Sequence, residues 1–299
     1  MTISVIINPG SGPAHRREAP EALVAWAEAW LRRRAVDGTV RLIAGPGDGT
    51  RLGREALDRG ADLVIAWGGD GTVNAVASAL VGGSAALGIV PAGSGNGLAS
   101  ELGIPRRRDE AFAAALDGRD RTIDAGELNG HFFFNVAGIG FDAHVAHVFA
   151  HAAGHSRGFL SYVVTTVREL FRYEPSRFVL SADEGRVVRD GKALLVSIAN
   201  TRQWGNGAQI APQAEPDDGR LDFVLLDARS PFYLLTQLWR LYTKSIGRVT
   251  GTIMRPIRDI SMTADPPAPV HLDGEPMGHI GDIHVRVIPG AIRVRVPRK

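Results

Sequence analysis

Over its first 120 or so residues the chain alternates short apolar runs with amphipathic stretches. Residues 3–7, 40–43, 62–66 and 87–90 are compact β-branched or aliphatic runs that predict buried strands. Between them, apolar positions at helical spacing predict helices over about 18–35, 50–58, 73–81, 96–102 and 109–117. Strand and helix in alternation predict a parallel, doubly wound α/β sheet. After Asp124 the pattern changes. Residues 132–136, 177–182, 193–199, 221–226, 259–263, 270–272 and 283–287 are strand-like, and helical patterns interrupt them only at about 143–172 and 231–247. A β-sandwich-like second domain is expected, with an α/β domain over 1–123 and a β-rich domain over 124–288.

Composition narrows the function classes. The 299 residues are 44% hydrophobic and 22% charged, enough apolar material for a real core in one large domain or two ordinary ones. A net charge of +2, without a basic run interleaved with aromatics, argues against nucleic acid as a partner. The absence of cysteine excludes disulfides and thiolate metal sites and fits a reducing compartment. No run of eighteen apolar residues exists, so no transmembrane segment is expected. The chain begins on a strand-like run with no signal-peptide pattern, and a cytoplasmic location is expected.

Three of the predicted strands end in glycine-rich turns: Asn8-Pro9-Gly10-Ser11-Gly12, Gly68-Gly69-Asp70-Gly71-Thr72-Val73-Asn74 and Pro91-Ala92-Gly93-Ser94-Gly95-Asn96-Gly97. Glycine lets backbone turn tightly and approach a bulky anion, and the N–H groups opening the next helix suit a phosphate. Loops at the carboxyl ends of adjacent parallel strands converge on one crevice. Asp70 is the odd member, since a carboxylate beside phosphates repels them. It is consistent with a divalent cation between the two, or with a carboxylate that holds the loop by accepting backbone N–H groups. Thr72 and Asn74 add neutral hydrogen-bonding groups. Late in the chain, Asp273-Gly274-Glu275 is either a pair of working carboxylates or a hairpin turn. Asp124, in Arg121–Gly126, is either a functional acid or part of a surface turn. Glu215-Pro216-Asp217-Asp218-Gly219-Arg220-Leu221 is either a turn or an oxygen-rich site for a hard cation.

Together these residues resemble the diacylglycerol-kinase catalytic family, which includes bacterial lipid kinases and the sphingosine and ceramide kinases. The three glycine-rich turns carry the resemblance, with Asn135-Val136-Ala137-Gly138-Ile139-Gly140-Phe141-Asp142-Ala143 and Leu272-Asp273-Gly274-Glu275, in the family's order and across nearly the whole chain. The Gly-Gly-Asp-Gly-Thr turn alone is also found in NAD kinases and phosphofructokinases. The resemblance implies an ATP-dependent lipid kinase that uses Mg2+, with an active site in a cleft between two domains and residues 289–299 returning to the first. It implies a phosphate cradle from Asn8, Gly68, Gly69, Asp70, Gly71, Thr72, Val73, Asn74, Ser94, Gly95 and Asn96. Glu275 is implied as the proton acceptor with Asp273 as its partner, and Asp70 as a catalytic acid that shares a metal and water network with Asp124. A structural magnesium is implied on the Asp218 side chain and the carbonyls of Glu215 and Arg220. Two departures stand out: Gly97 where many bacterial members have aspartate, and Ala75 where glutamate is usual. The Pro-Ala-Gly-Ser-Gly-Asn form of its turn is more like sphingosine kinases. The lipid itself stays open.

Residues 162–173 and 232–248 mix apolar side chains with Arg168, Arg172, Arg240, Lys244 and Arg248, as in helices that rest on an anionic bilayer or pack on a sheet. The partner that the resemblance implies is a lipid substrate at the membrane surface, with the protein at its inner face; a homodimer is compatible with the sequence. His144, His147, His151 and His155 would line one stripe of a helix, either as metal ligands or as a solvated or cleft-lining face. Two other functions share the same motifs: a kinase of a soluble substrate, as in NAD kinases, and a nucleotide- or lipid-binding sensor without turnover.

Overall fold

A computed structural model describes residues 1–12, 18–151, 159–182, 186–205 and 207–298. The chain divides into two compact units, Met1–Ile123 with Gly290–Lys299, and Asp124–Pro289. Among the described residues, no helix is long and apolar enough to cross a membrane.

The first unit contains β1 (Ile3–Ile7), α1 (Pro20–Arg33), β2 (Gly38–Leu42), α2 (Asp48–Asp58), β3 (Leu63–Gly68), α3 (Asp70–Leu80), β4 (Ala86–Pro91), α4 (Gly97–Glu101) and α5 (Arg108–Asp117). Its sheet runs β2-β1-β3-β4, all parallel, and Arg293 and Val294 add a further parallel pairing outside β4. Every residue of β1 and β3 is buried. That is why these strands read as unbroken apolar runs: helices cover both faces of a doubly wound sheet. Trp26, Trp67 and Phe112 meet edge to face in this core. The chain passes from β1 outward to β2, then returns to place β3 on the other side of β1. The strand order reverses between β1 and β3, and ligands bind outside the carboxyl ends at such a reversal. The register aligns Ile7 with Trp67 and Gly68 with Pro91, so the glycine-rich turns after β1, β3 and β4 emerge at one level.

The second unit begins in β5 (Arg119–Leu128) and continues through β6 (His131–Phe133), β7 (Val136–Gly140), α6 (Phe141–His151), α7 (Phe159–Leu170), β8 (Arg177–Ala182), β9 (Arg186–Ala199), β10 (Gln203–Gly205), β11 (Ala208–Gln209), β12 (Leu221–Asp227), α8 (Pro231–Gln237), β13 (Thr252–Ile257), β14 (Asp259–Leu272) and β15 (Glu275–Val296). The strand pairings within it are antiparallel. β14 pairs with β8 through residues 260–265 and with β7 through 270–272, and β9 likewise serves both partners. Strands that change partners along their length are how sandwich-like sheets turn corners. One core cluster, with Phe133, Phe178 and Phe223, lies among the strands. Another packs Val145 of α6, Leu170 of α7 and Leu234 of α8 against Val136, Leu195 and Val224.

Several elements differ from the sequence expectation, each for a local reason. The expected strand 132–136 is broken after Phe133, because the carboxylate of Asp273 takes the N–H groups of Phe134, Asn135 and Val136. The helical pattern at 231–247 yields only seven α-helical residues, followed by 3-10 turns at Leu238–Leu241 and Ile246–Arg248. The Thr236 hydroxyl donates to the Tyr233 carbonyl at 2.6 Å, the kind of local bond that competes with helix. β13 was not expected; as an edge strand it tolerates Pro256. Residues 259–263 and 270–272 belong to one strand, as do 283–287 and 291–296.

Candidate active site

The three turns of the first unit are laced together by side chains. Asn8 donates through Nδ2 to Thr72 Oγ1 at 2.9 Å and accepts the Gly10 N–H through Oδ1 at 2.9 Å. Ser11 Oγ accepts the Gly69 N–H at 3.2 Å. Asp70 opens α3, and its carboxylate accepts the N–H groups of Asn96 at 2.8 Å and Gly97 at 2.7 Å. Of the two roles open for Asp70, the geometry fits the holding of the neighbouring turn. Asn96 closes that turn on itself: Oδ1 accepts the Gly93 N–H at 2.9 Å and Nδ2 donates to the Gly93 carbonyl at 2.6 Å.

Glycine is required where these backbones touch. A Cβ on Gly93 would stand 2.7 Å from Gly69 Cα, and one on Gly95 would stand 2.8 Å from Asp70 Oδ2. Ser94 is exposed at the tip, and Asn74 is half-buried on the first turns of α3. Gly71, Thr72 and Val73 supply the helix-opening N–H groups, of which Val73 already bonds the Gly69 carbonyl. The two sequence departures also find places. Gly97 supplies an N–H to Asp70, and Ala75 faces α2, where a Cβ on Gly49 would come within 2.8 Å of its own. Position 75 is therefore a helix-packing position in this chain.

In the second unit, Asp273 and Gly274 form the tight turn between β14 and β15, so the hairpin reading of that motif holds as local structure. Asp273 sits at φ +50°, its N–H bonds the Val136 carbonyl, and its carboxylate accepts three backbone N–H groups at 2.8–3.0 Å. A carboxylate so occupied is a backbone anchor. Asp273, expected as the partner of Glu275, here holds the backbone that leads into β7. Glu275 is exposed, one residue beyond the turn. His271 Nδ1 accepts the Gly274 N–H at 3.3 Å, which leaves the Nε2 proton facing Asp142 Oδ2 at 3.5 Å.

Asp142 lies beneath this turn. It is buried with His271, and the Tyr173 hydroxyl is pushed well above its ordinary range by burial and then by the Asp142 charge. His144 packs on Tyr173 and bonds Glu169 at 3.0 Å, which holds the Glu169 carboxyl below its usual range. His144 is thus tied to α7, and no group of three metal-ligating side chains occurs among the described residues. His155 and the side chain of His151 lie outside the described residues. Sequence reasoning did not connect Asp142, Tyr173 and His271; the pairing of β7 with β14 brings His271 to Asp142, and Tyr173 comes in from the end of α7 against Phe141.

Asp124 is buried within β5, not in a surface turn. It clasps the 215–220 segment: its N–H donates to the Pro216 carbonyl at 2.6 Å, and its carboxylate accepts the Gly219 N–H at 2.7 Å. Asp218 accepts the Arg220 N–H at 2.9 Å. The loop offers carboxylate and carbonyl oxygens, the ligand type that a hard cation such as Mg2+ needs. Asp222, just beyond on β12, has its carboxyl pushed up to about 6, first by burial and then by the charge of Asp218. The folded state thus binds this proton more tightly than the unfolded chain, whose aspartates titrate near 3.8. Its contribution is therefore greatest below about pH 4 and is lost as pH rises through about 6. Asp222→Asn is expected to stabilise the protein by about 1–2 kcal/mol near pH 7.5, allowing for partial exposure, and to be neutral near pH 4. Urea denaturation at the two pH values checks this; an equal effect at both would refute it.

Comparison with known proteins bears on both units. Residues 2–128 match the family described as Diacylglycerol kinase catalytic domain, and residues 135–296 match the YegS C-terminal NAD kinase beta sandwich-like domain. A Pseudomonas aeruginosa protein named "Probable lipid kinase YegS-like" is 33% identical over 285 residues, covering 95% of this chain and 92% of that protein. A Pectobacterium atrosepticum protein of the same name is 32% identical over 272 residues, 89% of each chain. Among solved structures, a diacylglycerol kinase from Bacillus anthracis matches with a TM-score of 0.75 at 22% identity, covering 99% of this chain and 96% of that one. An NAD kinase from Archaeoglobus fulgidus in complex with ATP matches with a TM-score of 0.56 at 16% identity, covering 100% and 95%. At these identities the two structural likenesses speak for the fold.

Proposed function

This chain belongs to the family of YegS-like lipid kinases, and from that premise we propose that it transfers the γ-phosphoryl group of ATP to a hydroxyl of a membrane lipid, such as diacylglycerol or a sphingoid lipid. The observation that carries this reading is the lacing of three glycine-rich turns at the strand-order reversal, with Asp70 holding the third turn to the second. Phosphoryl transfer to an alcohol asks the protein mainly for positioning and for neutralisation of charge. The first unit is the nucleotide-binding domain. The helix-opening N–H groups after Gly69, with Asn8, Thr72, Asn74, Ser94, Gly95 and Asn96, form the cradle for the ATP phosphates.

The second unit is the lipid-substrate domain. Glu275 accepts the hydroxyl proton as the lipid oxygen bonds to the γ-phosphorus and the bond to the β-phosphate oxygen breaks, releasing ADP. Asp273 and His271 act through Glu275 by fixing its turn. Mg2+ bound with ATP supplies charge neutralisation on the phosphates. A structural Mg2+ would be held by the Asp218 side chain and the carbonyls of Glu215 and Arg220, in the loop that Asp124 tethers. The protein works from the cytoplasm at the inner face of the membrane.

Incubation with labelled ATP and a panel of lipids, with NAD as a soluble acceptor, tests this reading. A labelled phospholipid product separated by chromatography is the expected result. Label on NAD alone would make the protein a kinase of a soluble substrate, and ATP binding without any labelled product would make it a sensor.

A further inference from the structure

Two neighbouring segments of the second unit leave large apolar side chains in solvent. Val164 on α7 is 60% exposed and Phe171, just past its end, 49%. In the α8 segment Phe232 is 73%, Trp239 54% and Tyr242 51% exposed. Phe171 follows the end of α7, and Trp239 lies in the 3-10 turn that follows α8. Phe171 and Phe232 meet edge to face with ring centroids 5.3 Å apart, which joins the two segments into one patch. These segments have already buried another face on the sheet, through Leu170, Leu234 and Ile246. The exposed patch is additional to the face that folding uses.

The charge around this patch is mainly basic, although Arg229 pairs with Asp227 at 3.8 Å. Residues 229–250 contain Arg229, Arg240, Lys244 and Arg248 and no acidic residue. Arg168 and Arg172 are exposed beside Phe171; the acid between them, Glu169, is buried and bonded to His144 and Arg168. The next acid, Glu174, flanks the patch. Arg240 stacks over the Trp239 ring at 4.7 Å. Amphipathic aromatic rings belong at headgroup level, and long basic side chains reach from there to lipid phosphates.

We propose that this aromatic and basic face of the second unit docks the protein on a bilayer containing anionic lipid. A two-fold contact with a second copy would set the same basic residues against one another, whereas an anionic bilayer supplies the opposite charge. The docking rests on the lipid-kinase reading for its purpose, but the binding itself needs no turnover.

Sedimentation of the full chain with vesicles tests the docking. The wild type is expected to pellet with vesicles of equal parts phosphatidylcholine and phosphatidylglycerol, and to stay in solution with phosphatidylcholine alone. A triple variant, Phe232→Ser, Trp239→Ser and Tyr242→Ser, should lower partitioning at least about tenfold. A double variant, Lys244→Gln and Arg248→Gln, should lower it about fivefold per charge removed, with the loss vanishing at high salt. Turnover on a short-chain lipid below its micellar concentration should be unchanged in both, showing that they fold. Failure of the wild type to bind anionic vesicles, equal binding by the variants, or a change of oligomeric state in the triple variant by light scattering would each overturn the proposal. Variant-sensitive vesicle binding without phosphorylation of any lipid would instead remove the kinase reading and leave the docking face standing.

Discussion

Asp70→Asn is expected to lower phosphoryl transfer at least a hundredfold while the protein stays folded. The two Asp70 oxygens accept the N–H groups of Asn96 and Gly97 at 2.8 and 2.7 Å, and these are charge-assisted bonds. Asparagine keeps one acceptor and puts an NH2 group against the other N–H, so one bond is lost and two donors face each other. Such a loss costs about 1–3 kcal/mol locally, which loosens residues 93–97 rather than the sheet beneath. The turn that loosens is the one proposed to seat ATP, and a single misplaced electrostatic group typically costs a hundredfold or more. Turnover with labelled ATP, an ATP titration and a urea midpoint check the three parts. Because Asp70 holds backbone, excess Mg2+ should not restore the rate. Full rescue by Mg2+ would identify Asp70 as a metal ligand instead, and activity within about threefold of wild type would remove it from the site.

What was legible in the sequence was local. β1, β3 and β4 are buried on both faces, so their apolar runs stand out from the helices between them. The glycine turns could be recognised because close backbone approach leaves only one residue type available, as at Gly93 against Gly69. What joins those turns was not legible. Asp70 finds Asn96 and Gly97, and Asp273 finds Phe134, Asn135 and Val136, across separations that only the sheet topology closes. Residue type announced a carboxylate in each case without saying whether it would face a ligand or a backbone. Asp124 shows the same limit: its acid suggested a turn or a metal network, and the fold buries it in a strand to clasp the 216–219 segment. β13 was hidden by Pro256, which an edge position permits but a sequence pattern counts against a strand.

Glu275→Gln and Asp273→Asn are expected to fail in different ways, and the difference separates chemistry from architecture. Glu275 is exposed beyond the turn, so its amide should fold like the wild type, with a thermal midpoint shifted by no more than about a degree, since surface substitutions are near neutral. If it accepts the hydroxyl proton, its loss should cost on the order of a hundredfold to ten-thousandfold in turnover and leave ATP affinity unchanged. Asp273 holds three N–H groups with one carboxylate, and asparagine can satisfy them only in part. Its replacement should therefore destabilise the second unit by about 3 kcal/mol or more, with activity falling because the turn that carries Glu275 is no longer held. Thermal denaturation and single-turnover rates on the two variants check the contrast. A stable Asp273→Asn protein with no activity would return Asp273 to proton transfer. An active Glu275→Gln protein would place the base elsewhere in the chain and leave this motif as a hairpin alone.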